Sequence, residues 1–178
     1  MTARYAVALI LPQEVEDLLN RLRGVHCSQM TFISIPHITL GYFLTDVELT
    51  IVKRAIEQLA EMTVPCTLNL NGIEYFEGDL NTAYVAIENT EPVISLRLKI
   101  SEHLQRAVGT NIGEHSDSYC YHPHVTIGTN ISALAFPAIK EMLSQKGVRL
   151  EILADTLALG SIGDDGKSRI ESLFKLLG

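Results

Sequence analysis

Apolar residues along this chain change rhythm repeatedly, and each change marks an element. Tyr5 to Leu11 is a short, mostly apolar run closed by Pro12, the pattern of a buried strand. Val15, Leu18, Leu19 and Leu22 then recur at helical spacing among charged residues, and Gly24 stands where such a helix would stop. After a connection over 25–36, His37 to Phe43 alternates as a strand. Val52, Ala55, Ile56 and Leu59 form a second helical face, which Pro65 is predicted to close. Cys66 to Phe76 and Thr82 to Ile87 read as a hairpin around Glu-Gly-Asp-Leu-Asn, with Gly72 a candidate bulge. Thr90 and Pro92 signal a third helix, with Leu96, Ile100, Leu104 and Ala107 on its apolar face.

Residues 109–121 are long and polar for a connection inside one domain, a length at which loops carry function. A strand over Pro123 to Thr129, a helix near Pro137 to Gln145, and a final hairpin of Val148 to Ile162 with Ser168 to Leu176 complete the chain. Strands and helices alternate in both halves. The class is therefore mixed α/β or α+β with antiparallel pairs.

At 178 residues the chain fits one domain at about 100–200 residues each. The apolar share of 47% and charged share of 20% exclude disorder and supply a core. A net charge of −7 argues against extended nucleic-acid binding, so any nucleic-acid contact should be local or small. Cys27, Cys66 and Cys120 are too few and too scattered for a disulfide framework or paired metal sites, and read as reduced thiols. The first apolar run lacks the basic flank and length of a signal peptide, so the expected setting is the cytoplasm, with no membrane partner.

The most informative feature is a repeat: Pro36-His-Ile-Thr-Leu-Gly41 and Pro123-His-Val-Thr-Ile-Gly128. The two copies lie about half the chain apart, which suggests an internal duplication giving a single domain over 1–178 made of two lobes. Strand periodicity puts His37 with Thr39, and His124 with Thr126, on one face, while Ile38, Leu40, Val125 and Ile127 pack underneath. The glycine after each motif permits a bulge or a close backbone approach. Two imidazoles and two hydroxyls across a cleft are what phosphodiester hydrolysis calls for: a base for the attacking oxygen, an acid for the leaving oxygen, and donors for the non-bridging oxygens. That chemistry requires neither cofactor nor metal.

On these motifs the chain resembles the 2H phosphoesterase superfamily, which includes bacterial RNA 2′,3′-cyclic phosphodiesterases, historically called 2′-5′ RNA ligases. That family carries two His-x-Thr/Ser-x motifs with hydrophobic x, and His37-Ile-Thr-Leu40 and His124-Val-Thr-Ile127 match residue by residue. The resemblance implies a bilobal α+β fold of two pseudo-symmetric antiparallel sheets with flanking helices and a central cleft. It also implies catalysis by His37 and His124, phosphate binding by Thr39 and Thr126, and a nucleotide, cyclic phosphate or short RNA end as substrate. In one respect the chain departs from the pattern. Cyclic phosphodiesterase members often carry a basic residue two positions beyond the second motif, where this chain has Thr129.

Other candidates surround the motifs. His122, two residues before His124, can face the substrate or, in a metal-dependent alternative, share an ion with His124. Tyr121 and Tyr119, then Tyr42 and Phe43, can stack on a base or pack in the core. His26, His103 and His115 follow no pattern and read as surface or loop residues. Gly160 to Gly166 has five intervening residues where a phosphate-binding P-loop needs four, so Asp164-Asp165-Gly166 reads as a hairpin turn. Lys167 and Arg169 beyond it are either solvated charges or the missing cation. Outside catalysis, the same cleft could serve a binding module that holds a phosphorylated ligand.

Overall fold

The computed structural model describes residues 3–24, 35–79, 81–110, 112–113, 121–163 and 168–178. Tyr119, His26, His115, Cys27, Cys120, Lys167, the proposed turn at 164–166 and most of the 109–121 loop lie outside the described residues.

The element order β-α-β-α-β runs twice and is followed by two further strands. The first run is β1 (Ala3–Ile10), α1 (Gln13–Arg23), β2 (His37–Thr45), α2 (Leu49–Glu61) and β3 (Cys66–Phe76). The second is β4 (Asn81–Ile87), α3 (Glu91–Val108), β5 (His124–Ile131), α4 (Phe136–Ser144) and β6 (Arg149–Ala154). Strands β7 (Thr156–Ile162) and β8 (Ser168–Lys175) end the chain. They form two antiparallel sheets of matching design, β2-β1-β7-β8 and β5-β4-β3-β6, with the motif strands β2 and β5 on corresponding edges.

The first three helices form for legible reasons. Val15, Leu18, Leu19 and Leu22 of α1 are buried, Glu14 and Glu16 sit at its positive end and Arg21 and Arg23 at its negative end. Gly24 closes it at φ 47°, where a side chain would be strained. Helix α2 buries Val52, Ala55, Ile56 and Leu59 as expected, but stops at Glu61, before Pro65. The Thr63 hydroxyl donates to the Leu59 carbonyl at 2.6 Å and satisfies an end group of the helix before the proline is reached. Helix α3 buries Val93, Leu96, Ile100 and Leu104 and leaves Ala107 exposed, because Val108 is one full turn beyond Leu104. Thr90 makes no side-chain cap, so the preset φ of Pro92 is what starts this helix.

The larger correction concerns 148–162. This stretch is two strands: β6 pairs with β3 in the second sheet, and β7 pairs with β1 and β8 in the first. The apolar phase shows why. Leu150, Ile152 and Ala154 fall on even positions and Leu157 and Leu159 on odd ones, so one straight strand could not keep both sets inside. The slip occurs at Asp155, whose carbonyl accepts from the Leu176 amide at 2.8 Å and whose carboxylate accepts from the Thr156 hydroxyl, also at 2.8 Å.

Both motif strands are bulged at the same place. Thr39 and Gly41 pair with the consecutive residues Ala8 and Val7, and Thr126 and Gly128 pair with Tyr84 and Ala83, so Leu40 and Ile127 are left out of register. Gly72, at φ 83°, sits in a further irregularity of β3. Gly41 serves a close approach, because a Cβ there would lie 3.0 Å from Ile112 Cβ, and Ile112 is buried. Gly41→Val is expected to lower stability by about 1–3 kcal/mol, the usual cost of overpacking, read as a fall in urea midpoint at unchanged m-value.

Candidate active site

Each motif strand sorts its side chains as its alternation dictates. Ile38, Leu40, Val125 and Ile127 are fully buried, while His37, Thr39, His124 and Thr126 are half-buried on the opposite faces. Each histidine also turns back on its own backbone. His37 Nδ1 lies 2.9 Å from the Ile35 carbonyl, and His124 Nδ1 lies 2.8 Å from the His122 carbonyl, the same offset in both copies. A carbonyl oxygen only accepts, so Nδ1 carries the hydrogen in each ring. Nε2 is then the nitrogen left to exchange a proton in the neutral form.

The two strands meet at their edges. The Tyr121 hydroxyl, just ahead of β5, donates to the Thr39 carbonyl on β2 at 2.9 Å. The Arg97 guanidinium lies 4.6 Å from the Tyr121 ring centroid, and Arg97 Nε donates to the Leu40 carbonyl at 2.9 Å. Burial raises the Tyr121 phenol pKa well beyond its ordinary value against the opposing charge of Arg97, so it remains a proton donor at any physiological pH. His124 is held below the ordinary histidine pKa, chiefly by burial and further by repulsion from His122 and His37, with its backbone hydrogen bond opposing the shift.

A cavity of about 500 Å³ opens beside His37 and Thr39 over a floor of Ala8 and Gly160, with Tyr42 and Arg169 on its walls. Arg169 comes from β8, so the cation considered in the sequence lies beside the first motif. Thr129, where a basic residue would follow the second motif, is hydrogen-bonded through its hydroxyl to that of Thr82 at 2.9 Å. Phe43 is buried against Tyr5 and belongs to the core. His103 lies in helix α3, half-buried, rather than in a loop.

The second lobe has a feature that periodicity did not show. Phe76 stacks on Tyr84 with centroids 4.3 Å apart, and His124 meets both rings at 5.0 and 5.2 Å. His122 packs edge-on against the same pair, with Nε2 3.9 Å from the Glu74 carboxylate. The Tyr84 hydroxyl donates to Glu74 at 2.8 Å, and its pKa is pushed up to about 12 by burial and by that carboxylate. Phe76 and Tyr84 lie on strands β3 and β4, far from either motif in sequence, so only the sheet pairing brings them to His124. Among the described residues, no group of three His, Cys, Asp or Glu side chains could hold a metal ion.

Residues 11–166, which include both motifs, match the family profile described as the 2′-5′ RNA ligase superfamily. The chain belongs to that superfamily, the 2H phosphoesterases. Its similar relatives include the candidate phosphoesterase BH1439 of Halalkalibacterium halodurans, 27% identical over 97% of this chain and 96% of that one. Another is the candidate phosphoesterase OB1230 of Oceanobacillus iheyensis, 26% identical over 88% of each chain. Two solved structures share the superfamily fold. TT0787 of Thermus thermophilus superposes with a TM-score of 0.71 at 19% identity, covering 98% of both chains. LigT of E. coli, crystallised with 3′-AMP, gives 0.65 at 16% identity over 99% of both. No helix among the described residues is long and apolar enough to cross a membrane.

Proposed function

We propose that this protein is a metal-independent phosphodiesterase that opens a cyclic phosphodiester or cleaves a small nucleotide or oligonucleotide linkage, with His37 and His124 as its acid and base. The observation that carries this reading is the matched pair of imidazoles, each with Nδ1 tied to the carbonyl two residues upstream and each beside a threonine. One Nε2 takes the proton of the attacking water as its oxygen bonds to phosphorus. The other protonates the leaving ribose oxygen as the P–O bond breaks. Thr39 and Thr126 donate to the non-bridging oxygens, where charge accumulates.

In this reading Arg169 supplies the cation that Thr129 does not, from the opposite lobe. His122, half-exposed beside Phe76, meets the substrate, and Tyr121 holds the Thr39 strand through its hydroxyl. Support for a nucleotide-sized substrate comes from E. coli LigT, solved with 3′-AMP, ATP, NADP+ and phosphate. We place the reaction in the cytoplasm, and read residues 1–178 as a single domain whose two lobes are related by internal duplication.

The test is turnover of purified protein on 2′,3′-cyclic nucleotides, 2′-5′ and 3′-5′ dinucleotides and ADP-ribose cyclic phosphate, with and without EDTA. Hydrolysis of at least one class, unchanged by EDTA, is expected. Activity lost to the chelator and restored by a metal would replace this mechanism with a metal-dependent one, and nucleotide binding without turnover would make the cleft a binding module. Thr39→Ala or Thr126→Ala should lower kcat by less than loss of a histidine does and leave the pH optimum in place, because a hydroxyl donates without titrating near neutrality.

A further inference from the structure

Both motif strands are irregular at the same point, and the irregularity has a cost. A bulge takes one residue out of ladder register, and in β2 and β5 that residue is Leu40 and Ile127, three positions beyond each histidine. Both side chains are fully buried, so a backbone carbonyl there needs a donor from elsewhere in the protein. In each case the donor is an arginine. Arg97 Nε donates to the Leu40 carbonyl at 2.9 Å, and Arg23 Nε donates to the Ile127 carbonyl at 2.8 Å.

The connection is crossed. Arg23 ends α1, the helix between the first-sheet strands β1 and β2, yet it reaches β5 of the second sheet. Arg97 lies in α3, between the second-sheet strands β4 and β5, yet it reaches β2 of the first. Helix α1 packs on β5 and α3 on β2 to match. Arg23 is almost wholly buried, at 2% exposure, in a position where an ordinary surface arginine would not be found. Arg97 also covers the ring of Tyr121, whose hydroxyl grips the neighbouring Thr39 carbonyl, so two consecutive carbonyls of β2 are held from the other half of the chain.

We infer that Arg23 and Arg97 are reciprocal positioning residues, each fixing the bulged strand that carries the opposite half's histidine and thereby setting the separation of His37 and His124. The inference builds on the proposed acid–base reading, because one phosphate must lie within hydrogen-bond reach of both Nε2 atoms. Arginine suits the task better than lysine, since its Nε–H has a fixed direction within a planar group that can also lie on an aromatic ring. Neither arginine need touch substrate.

The experiment compares Arg97→Lys, Arg97→Met and Arg23→Lys with the parent protein. Two readouts are used: steady-state kinetics on the substrate the screen identifies, and NMR titration of the imidazoles without substrate. His124 is the sensitive probe, because the charges of His37 and His122 act on it and the Tyr84 ring packs against it. Arg97→Met should lose on the order of 10²-fold in kcat, as expected when reacting groups are misplaced by about 1 Å, while KM changes by less than about threefold. Its His124 titration should move up toward the ordinary value as His37 recedes. Arg97→Lys and Arg23→Lys, which keep the charge, should fall between Arg97→Met and the parent in both readouts.

Folded Arg97→Met with parental kcat and a parental His124 titration would overturn the inference. So would a lower melting temperature accompanied by unchanged kinetics per folded molecule, which would mark both arginines as structural. Should no substrate be turned over by the parent protein, the titration still decides the positioning claim, and the acid–base reading fails separately. Should Arg97→Met not fold, the two lysine variants carry the same test, and unchanged titration in both overturns it.

Discussion

Replacing His37 or His124 by alanine is expected to lower kcat by a factor on the order of 10²–10⁴ for each, equivalent to about 2.7–5.5 kcal/mol of transition-state stabilisation. The reason lies in what each ring is prepared to do. With Nδ1 committed to a backbone carbonyl, each imidazole is held in one tautomer and one orientation, which leaves Nε2 as the nitrogen to exchange a proton in the proposed reading. Alanine leaves water in that place, without the fixed position and with a pKa unsuited to either role. The double variant should lose much less than the product of the single losses, because both groups act on one transition state. Nucleotide affinity, read by calorimetry, should weaken only modestly in either single variant, since the threonines and Arg169 remain. Unchanged turnover in both single variants would make the repeated motif a packing device.

Most of the path to those residues was legible in the chain. The alternation of His37, Ile38, Thr39 and Leu40 fixes which side chains are buried in the core and which lie on the half-buried face, and the helical faces of α1, α2 and most of α3 follow from spacing alone. What escaped reading depends on long-range pairing. The break at Asp155 is written as a phase slip between Ala154 and Leu157, but turn residues such as Gly and Pro, the usual punctuation, are missing there. Phe76 and Tyr84 read as ordinary strand aromatics until β3, β4 and β5 are laid side by side. Arg23 and Arg97 look like any helix-surface cations, because nothing local says that a carbonyl far away in sequence lacks a ladder partner. The bulges were half-visible. Gly41 and Gly128 signalled them, but their consequence for Leu40 and Ile127 required the register.

The two motifs are nearly identical in sequence but not in surroundings. His37 borders an open cavity floored by Ala8 and Gly160, whereas His124 is enclosed by Phe76, Tyr84 and His122. Unlike environments give like side chains different proton affinities. The crowding of His124 disfavours its cationic form.

That asymmetry gives the pH dependence its expected shape. His124, followed by NMR, should titrate below 6.5, its ordinary value, with burial the largest cause and the charges of His122 and His37 adding to it. His37→Ala and His122→Ala should each raise that midpoint by removing one repulsion, without abolishing the shift that burial produces. In kcat/KM the rate should be bell-shaped, because acid protonates the base and alkali strips the acid, and the two limbs are macroscopic constants of the pair. On the acid limb the rate should approach a tenfold fall per pH unit. Stability should carry the same signature: between 6.5 and the depressed folded value the unfolded chain binds more protons at this position than the folded one. His124 therefore makes the fold less stable as pH drops through that window, and the penalty is constant below it. His124→Ala should lose this component of the slope of unfolding free energy against pH. A His124 midpoint at or above 6.5, unmoved by His37→Ala, would mean that the rings neither crowd nor sense one another, and the shared-phosphate geometry would fall with it.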